Sequence, residues 1–203
     1  MDIITVFLFS YLSGSIPFGL ILTKIFIKVD VRKIGSGNIG ATNVFRTGNK
    51  LLATSTLILD VIKGYIPVIL AMKFFPDLIQ LSCLMAFLGH IFPIWIKFKG
   101  GKGVATYLGI LFALSIQLGF LFIFTWSVIT LIFRYSSVSS IFSTLTVFVV
   151  TFIKNNTLKI INPNTNFGEN INILLFFFFI LIVYTHRKNI LNLKNKTEKK
   201  IKI

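Results

Sequence analysis

The chain has 203 residues, of which 55% are hydrophobic, 15% aromatic and only 13% charged. A soluble domain carries about 25% charged residues, so this composition excludes an ordinary soluble protein and places the chain in a lipid bilayer. The net charge of +15 would suggest nucleic-acid binding in a soluble protein, but no basic helix or aromatic platform accompanies the cations, and we expect no nucleic-acid partner.

Apolar runs near the length that crosses about 30 Å of hydrocarbon recur along the chain. The run from Val104 to Phe133 is either one long helix or two short ones broken around Gln117, Leu118 and Gly119. The pattern predicts an all-α integral membrane protein, a single polytopic domain over residues 1–203 with a basic tail from about residue 186. The predicted spans, about seven, cover residues 3–27, 51–72, 78–96, 104–117, 118–133, 138–153 and 171–185.

The distribution of Lys and Arg favours two short helices in the ambiguous run. Seven crossings place residues 28–50, 97–103, 134–137 and the tail from His186 on one face, where they hold five, three, one and seven Lys or Arg, together 16 of the chain's 21. Cations concentrate on the cytoplasmic side, so we expect the N-terminus outside and the tail in the cytoplasm. The loops on the opposite face hold only Lys73, Lys154 and Lys159.

The first predicted cytoplasmic stretch is rich in glycine and short polar side chains. Its glycines match the pattern G-x-G-x-x-G, but a membrane span precedes them instead of the strand that a dinucleotide fold requires. Glycines let backbone N–H groups form an anion-binding nest, and Arg46 can hold a phosphate with two N–H groups. A plain glycine-rich turn is the alternative, although a turn would not require so many polar residues. The stretch contains Gly35, Ser36, Gly37, Asn38, Gly40, Thr42, Asn43 and Arg46.

The second stretch, residues 98–106, is a glycine loop that opens an apolar helix. It resembles a Walker loop, but Gly103 stands where Ser or Thr would hold magnesium, so we do not expect nucleotide hydrolysis. A glycine loop at a helix N-terminus, with Lys102 in it, can still bind phosphate. The alternative is a tight turn with an interfacial lysine.

Ionisable residues also occur inside the predicted spans. Asp60 and Lys63 are three residues apart and can pair on one helix face; intramembrane charges are functional candidates, but a self-neutralising pair favours a structural role. We interpret His90 as an interfacial histidine rather than a base. Cys83 is the only cysteine and no metal-ligand cluster occurs, so we expect neither a metal nor an organic cofactor.

Four motifs occur in order along the chain: residues 36–46, Gly89-His90 and Pro93 ahead of residues 100–106, residues 134–137 and residues 186–190. Together they resemble the bacterial acyl-phosphate-dependent glycerol-3-phosphate acyltransferases over essentially the whole chain. The resemblance implies a multi-pass protein of the bacterial plasma membrane that transfers a fatty acyl group from acyl phosphate to the sn-1 hydroxyl of glycerol-3-phosphate, giving lysophosphatidate for phospholipid synthesis. The expected partners are these two substrates and the bilayer, with the soluble enzyme that makes acyl phosphate as a further candidate.

The resemblance also implies residue roles. It makes Ser36, Arg46, Lys102, His186 and Asn189 catalytic. The other matched positions are expected to bind substrate, namely Gly37, Asn38, Gly40, Thr42, Asn43, Gly100, Gly101, Gly103, Thr106 and Ser137. The last motif departs from the family pattern, and the resemblance therefore assigns no role to the end of the tail; Asn192 replaces the usual arginine and Lys196 the usual glycine, although Glu198 is kept.

The leaving group of an acyl phosphate is already a stabilised anion, so positioning and charge neutralisation can supply most of the catalysis. Either His186 or a substrate phosphate accepts the hydroxyl proton. An organophosphate transporter is the alternative function, but transporters usually contain repeats and bind ligands near the bilayer midplane, whereas these motifs gather at one face. A non-enzymatic scaffold would not explain two glycine-lined loops.

Overall fold

The structure, a computed structural model, describes residues 1–161 and 169–201. The described residues form ten α-helices and no β-strand, which confirms the predicted all-α class. They divide into two compact units, Met1–Ile116 and Gln117–Ile203. The loop predicted between the sixth and seventh spans includes residues 162–168, which lie outside the described part of the chain.

The first unit contains six helices, and proline bends its first predicted span. Pro17 has no N–H group to continue a helix, so α1 ends at Ser15 and α2 begins at Phe18. The Asn49 side chain caps α4 by accepting a hydrogen bond from the Leu52 N–H at 3.0 Å. The helices are α1 Asp2–Ser15, α2 Phe18–Ile27, α3 Ala41–Phe45, α4 Lys50–Phe74, α5 Ile79–Ile91 and α6 Val104–Leu114.

Glycines let the helices of the first unit approach one another backbone to backbone. A Cβ on Gly14 of α1 would overlap the Ala86 carbonyl of α5, and one on Gly89 of α5 would overlap the Tyr11 carbonyl of α1. Gly64 makes the same kind of contact between α4 and α6. Small residues at such crossings are a common means of close helix packing in membranes. Both helices that flank the second glycine loop, α5 and α6, are held in place in this way.

The second unit consists of α7 Ile116–Phe133, α8 Ser136–Ile161, α9 Glu169–Thr185 and α10 Arg187–Lys194. The buried face of α8 is lined by hydroxyl side chains that bond back to carbonyls one turn earlier. The Ser143 hydroxyl donates to the Ser139 carbonyl at 2.6 Å, and the Thr130 hydroxyl of α7 donates to the Ser139 hydroxyl at 2.7 Å. These bonds satisfy polar groups that lipid cannot satisfy.

The end of the chain folds back onto the turn before α8. The Ile201 N–H donates to the Arg134 carbonyl at 2.7 Å, and the Lys200 ammonium lies 5.7 Å from the centre of the Tyr135 ring. These two contacts position the basic tail as far as Ile201. Residues 202–203 lie outside the described chain.

The predicted break in the run from Val104 to Phe133 is present at Ser115, whose backbone is extended, two residues before Gln117. The predicted count of seven spans is not confirmed among the residues the structure describes. α6 has 11 residues and is about 16 Å long, short of the roughly 30 Å needed to cross. Among the described residues, four helical stretches are long and apolar enough to cross a membrane, and a fifth span results if two helices joined at a 55° bend cross together. The four are Asp2–Ile27, Pro76–Ile96, Ile116–Phe133 and Ser136–Thr157, and the bent pair is Ile171–Thr185 with Arg187–Lys194.

The contact of Gly89 with α1 predicts that Gly89→Ala destabilises the protein. The added Cβ meets backbone that cannot rotate away, so we expect the free energy of unfolding to fall by about 1–3 kcal/mol, net of the gain of up to about 1 kcal/mol in helix propensity. Thermal unfolding in detergent measures the difference. Val128→Ile, which adds one carbon to an exposed side chain of α7, is the control. An unchanged unfolding temperature for Gly89→Ala would contradict the packing described.

Candidate functional site

The first glycine loop, residues 34–49, is organised around the side-chain amide of Asn43. The Asn43 Oδ1 accepts a hydrogen bond from the Ser36 N–H at 2.9 Å. Its Nδ2 lies 2.9, 3.0 and 2.7 Å from the Val31, Ile34 and Asn38 carbonyls. Because the amide nitrogen has two protons, one N–H is shared between two of these carbonyls. The side chain is 2% exposed. Asn43 therefore ties together a segment that contains no long helix or strand of its own.

Arg46 lies across the same loop with its side chain exposed. Its Nη1 is 3.5 Å from the Asn43 Oδ1. Gly35 has a φ of +55°, and a Cβ there would come within 2.7 Å of the Arg46 Cδ and 2.5 Å of the Asn43 Oδ1, so no larger residue fits. Ser36 follows, and both its N–H group and the guanidinium point to the same amide oxygen.

An open groove runs beside Arg46. Its lining combines three aliphatic side chains with two cations, which suit an apolar chain and an anionic group respectively. It is lined by Ile27, Val29, Ile34, Arg46, Thr47 and Lys50.

Asp30, which precedes the first glycine loop, contacts Arg32 two residues later in the chain. It caps the 3-10 turn Val31–Lys33 by accepting from the Arg32 N–H, and its carboxylate pairs with the Arg32 guanidinium at 2.6 Å. The hydrogen bond from Arg32 holds the pKa of Asp30 well below its usual range. Arg32 is therefore paired with the carboxylate of Asp30, whereas Arg46 contacts the side-chain amide of Asn43.

The second glycine loop packs tightly against the end of α5. The Gly100 N–H donates to the Ile91 carbonyl and the Gly101 N–H to the His90 carbonyl, both at 3.1 Å. A Cβ on Gly101 would overlap the His90 ring, and one on Gly103, which has a φ of +83°, would overlap Phe87. The glycines serve helix packing, and two N–H groups that the sequence suggested for phosphate are bonded to α5.

A buried polar cluster lies beside this loop. The Lys63 ammonium is 2.7 Å from the Asp60 Oδ1, and both side chains are 3% exposed. The ammonium also donates to the Ile16 carbonyl at 2.7 Å. The His90 Nδ1 faces the same carboxylate oxygen at 4.0 Å. The structure thus confirms the predicted pairing of Asp60 with Lys63, and the His90 side chain is buried within the first unit.

In the second unit, Ser137 and Asn189 meet at one carboxylate. The Glu198 Oε1 accepts a hydrogen bond from the Asn189 Nδ2 and lies 3.4 Å from the Ser137 hydroxyl. Glu198 therefore orients two residues of the predicted site. The resemblance to the family assigned no role to this glutamate. The only signal in the sequence was that this glutamate is kept where its neighbours depart from the family pattern.

His186 separates α9 from α10 and is 1% exposed. Its Nδ1 lies 2.8 Å from the Ile182 carbonyl. A carbonyl oxygen can only accept a hydrogen bond, so Nδ1 carries the proton in the neutral ring and Nε2 holds the lone pair. This tautomer is suited to accept a proton at Nε2.

Each unit thus brings together part of the predicted site. In the first unit Ser36, Asn38 and Arg46 contact the Asn43 amide. Lys102 with Gly100, Gly101 and Gly103 lies in the loop between α5 and α6, and Thr106 lies in the first turn of α6. In the second, His186, Asn189 and Ser137 lie around the last bend and Glu198. Among the described residues no three His, Cys, Asp or Glu side chains are grouped closely enough to hold a metal ion.

Known proteins resemble the chain along its whole length. A protein from Pelagibacter ubique named glycerol-3-phosphate acyltransferase is 53% identical over the full length of both chains, and one of the same name from Brucella anthropi is 43% identical over 99% of this chain and 94% of the relative. A crystal structure of PlsY (YgiH), an integral membrane glycerol 3-phosphate acyltransferase in its glycerol 3-phosphate form, matches with a TM-score of 0.90 at 35% identity, covering all of this chain and 96% of that one. The lysphosphatidic acid form of PlsY matches with a TM-score of 0.86 at 34% identity, over the same shares.

The family model described as glycerol-3-phosphate acyltransferase matches residues 4–196. This match spans all four motifs and both compact units. The resemblance seen in the sequence is confirmed, and the chain belongs to the glycerol-3-phosphate acyltransferase family of integral membrane proteins.

Proposed function

We propose that the chain transfers a fatty acyl group from acyl phosphate to the sn-1 hydroxyl of glycerol-3-phosphate and releases lysophosphatidate and inorganic phosphate. The observation that carries this proposal is the groove beside Arg46. The aliphatic residues of its lining, Ile27, Val29 and Ile34, suit an acyl chain, and Arg46 and Lys50 suit a phosphate group. An acyl phosphate combines both features in one molecule, which supports it as donor.

The reaction proposed is a direct acyl transfer. The hydroxyl oxygen attacks the acyl carbon, an ester bond forms, the bond from that carbon to the phosphate oxygen breaks, and phosphate leaves with the bonding electron pair. The hydroxyl proton goes either to the Nε2 of His186 or to a substrate phosphate oxygen. The Nδ1 hydrogen bond of His186 supports the first route, because it leaves the lone pair on Nε2.

In this proposal Arg46 holds one phosphate with its planar guanidinium and Lys102 neutralises a second. The Asn43 amide fixes Ser36 beside Arg46. Asn189 and Ser137, oriented by Glu198, contribute polar contacts to substrate. Because the N–H groups of Gly100 and Gly101 are bonded to α5, the phosphate at the second loop relies on Lys102 and the first turn of α6.

The proposed donor predicts that purified protein converts acyl phosphate and glycerol-3-phosphate to lysophosphatidate. One phosphate should be released per acyl group transferred, and the product should carry the acyl group at sn-1. Acyl-CoA should give no product above the rate of an Arg46→Ala preparation purified in the same way. Mass spectrometry of the lipid and a phosphate assay measure both quantities. Equal rates with acyl-CoA would overturn the donor assignment.

The position of Arg46 predicts that Arg46→Lys lowers kcat/KM by at least about tenfold. Lysine keeps the charge but loses the fork that holds two oxygens, and a charge-assisted hydrogen bond contributes roughly 1.5 to 3 kcal/mol. The matched control is Arg32→Lys, the same change in an arginine that pairs with Asp30, and it should stay within about twofold of wild type. Steady-state kinetics with each substrate varied decides. Wild-type values for Arg46→Lys would remove Arg46 from the proposed phosphate site.

A further inference from the structure

Asp60, Lys63 and His90 carry charge and polarity in the interior of the first unit, where the proposed reaction does not use them. Each side chain is 2–3% exposed. A buried ion pair seldom adds net stability over an apolar pair of the same volume. Burial of these groups therefore calls for an explanation other than stability, and their contacts provide one.

On one side, the cluster is fixed to the break in the first span. The Ile16 carbonyl precedes Pro17 and accepts the Lys63 ammonium at 2.7 Å. The same ammonium lies 5.6 Å from the centre of the Phe18 ring, within the range of a cation–π interaction. These contacts hold Lys63, and the ion pair at 2.7 Å then holds the Asp60 carboxylate.

On the other side, the cluster reaches the second glycine loop through His90. The Asp60 Oδ1 lies 4.0 Å from the His90 Nδ1, too far for a direct hydrogen bond but close enough for a carboxylate to orient the ring dipole in a medium of low dielectric constant. The opposite edge of the ring, at Nε2, lies directly against Gly101. The His90 carbonyl also accepts the Gly101 N–H at 3.1 Å.

We propose that the Asp60–Lys63–His90 cluster positions the second glycine loop and thereby places Lys102 for substrate phosphate. Asp60 and Lys63 are positioning residues, since they act through the His90 ring and the backbone of Gly101, the neighbour of Lys102. Rotation of the His90 ring would move Gly101, because no space separates them. The role of Lys102 in this inference rests on the proposed function, whereas the placement of the loop does not.

The test compares wild type with Asp60→Leu/Lys63→Met. This double variant replaces the ion pair with apolar side chains of similar size, a change that is often neutral for stability, whereas removal of one partner leaves a buried charge. We expect the unfolding temperature to stay near that of wild type. The KM for one substrate should rise at least fivefold, while kcat changes less than twofold. Amide hydrogen exchange of residues 98–106 should become at least fivefold faster. Asp60→Asn/Lys63→Gln, which keeps similar shapes and leaves no buried charge, should shift both quantities in the same direction, and it carries the comparison if the first double variant does not fold.

The matched control is Ser10→Ala/Ser82→Ala, which removes a buried polar contact of 2.9 Å between α1 and α5 that does not include the loop. Its KM values and the exchange of residues 98–106 should equal those of wild type. Wild-type KM and exchange in a folded cluster variant would overturn the inference while leaving the proposed function intact. Exchange is measured without substrate, so a wild-type protein inactive with acyl phosphate would contradict the proposed function and leave the loop comparison valid.

Discussion

The geometry of the first glycine loop depends on the hydrogen bonds of one side-chain amide. Glycine-rich segments lose much conformational entropy on folding, and residues 34–40 have no helix or strand to compensate for this loss. The Asn43 amide accepts a hydrogen bond from Ser36 and donates its two protons to the Ile34 and Asn38 carbonyls of this segment and to the Val31 carbonyl just before it. The amide oxygen that accepts the Ser36 N–H also lies 3.5 Å from the Arg46 Nη1. A single buried residue therefore shapes the loop on which the proposed phosphate contact relies.

The second glycine loop is shaped by a different constraint, the close packing of helices. Its glycines let α5 and the loop touch, and the N–H groups of Gly100 and Gly101 cap carbonyls at the end of α5. A backbone polar group in an apolar interior must find such a partner. Glycine here is a requirement of packing, and Lys102 supplies the positive charge for the proposed phosphate contact at this loop. The buried Asp60–Lys63–His90 cluster extends the same packing to the break at Pro17.

Sequence patterns predicted the features that depend on local chemistry: the all-α class, the helix break near Gln117, the two glycine loops and the pairing of Asp60 with Lys63 three residues away. They could not predict contacts between distant segments, such as Lys63 with Ile16, Asn189 with Glu198, or Gly101 with His90. In the sequence, Asn43 is one of several polar residues in a motif, and the spacing of these residues does not indicate which backbone carbonyls the Asn43 side chain will contact. Hydropathy also did not predict that α6 ends after 11 residues, and the count of seven spans, which included this helix, is not confirmed.

That the loop shaped by Asn43 binds the phosphate of the acyl donor is tested most directly by the affinity of purified Asn43→Asp protein for acyl phosphate, measured without glycerol-3-phosphate. The aspartate keeps an acceptor for the Ser36 N–H but faces three carbonyls without a donor, at a cost of about 1–3 kcal/mol. This role of the loop predicts a Kd raised about tenfold or more, and a Kd within twofold of wild type for Asn172→Asp, which keeps an acceptor for the Asn155 side-chain amide and lies outside the predicted site. Wild-type affinity in a folded Asn43→Asp protein would contradict it.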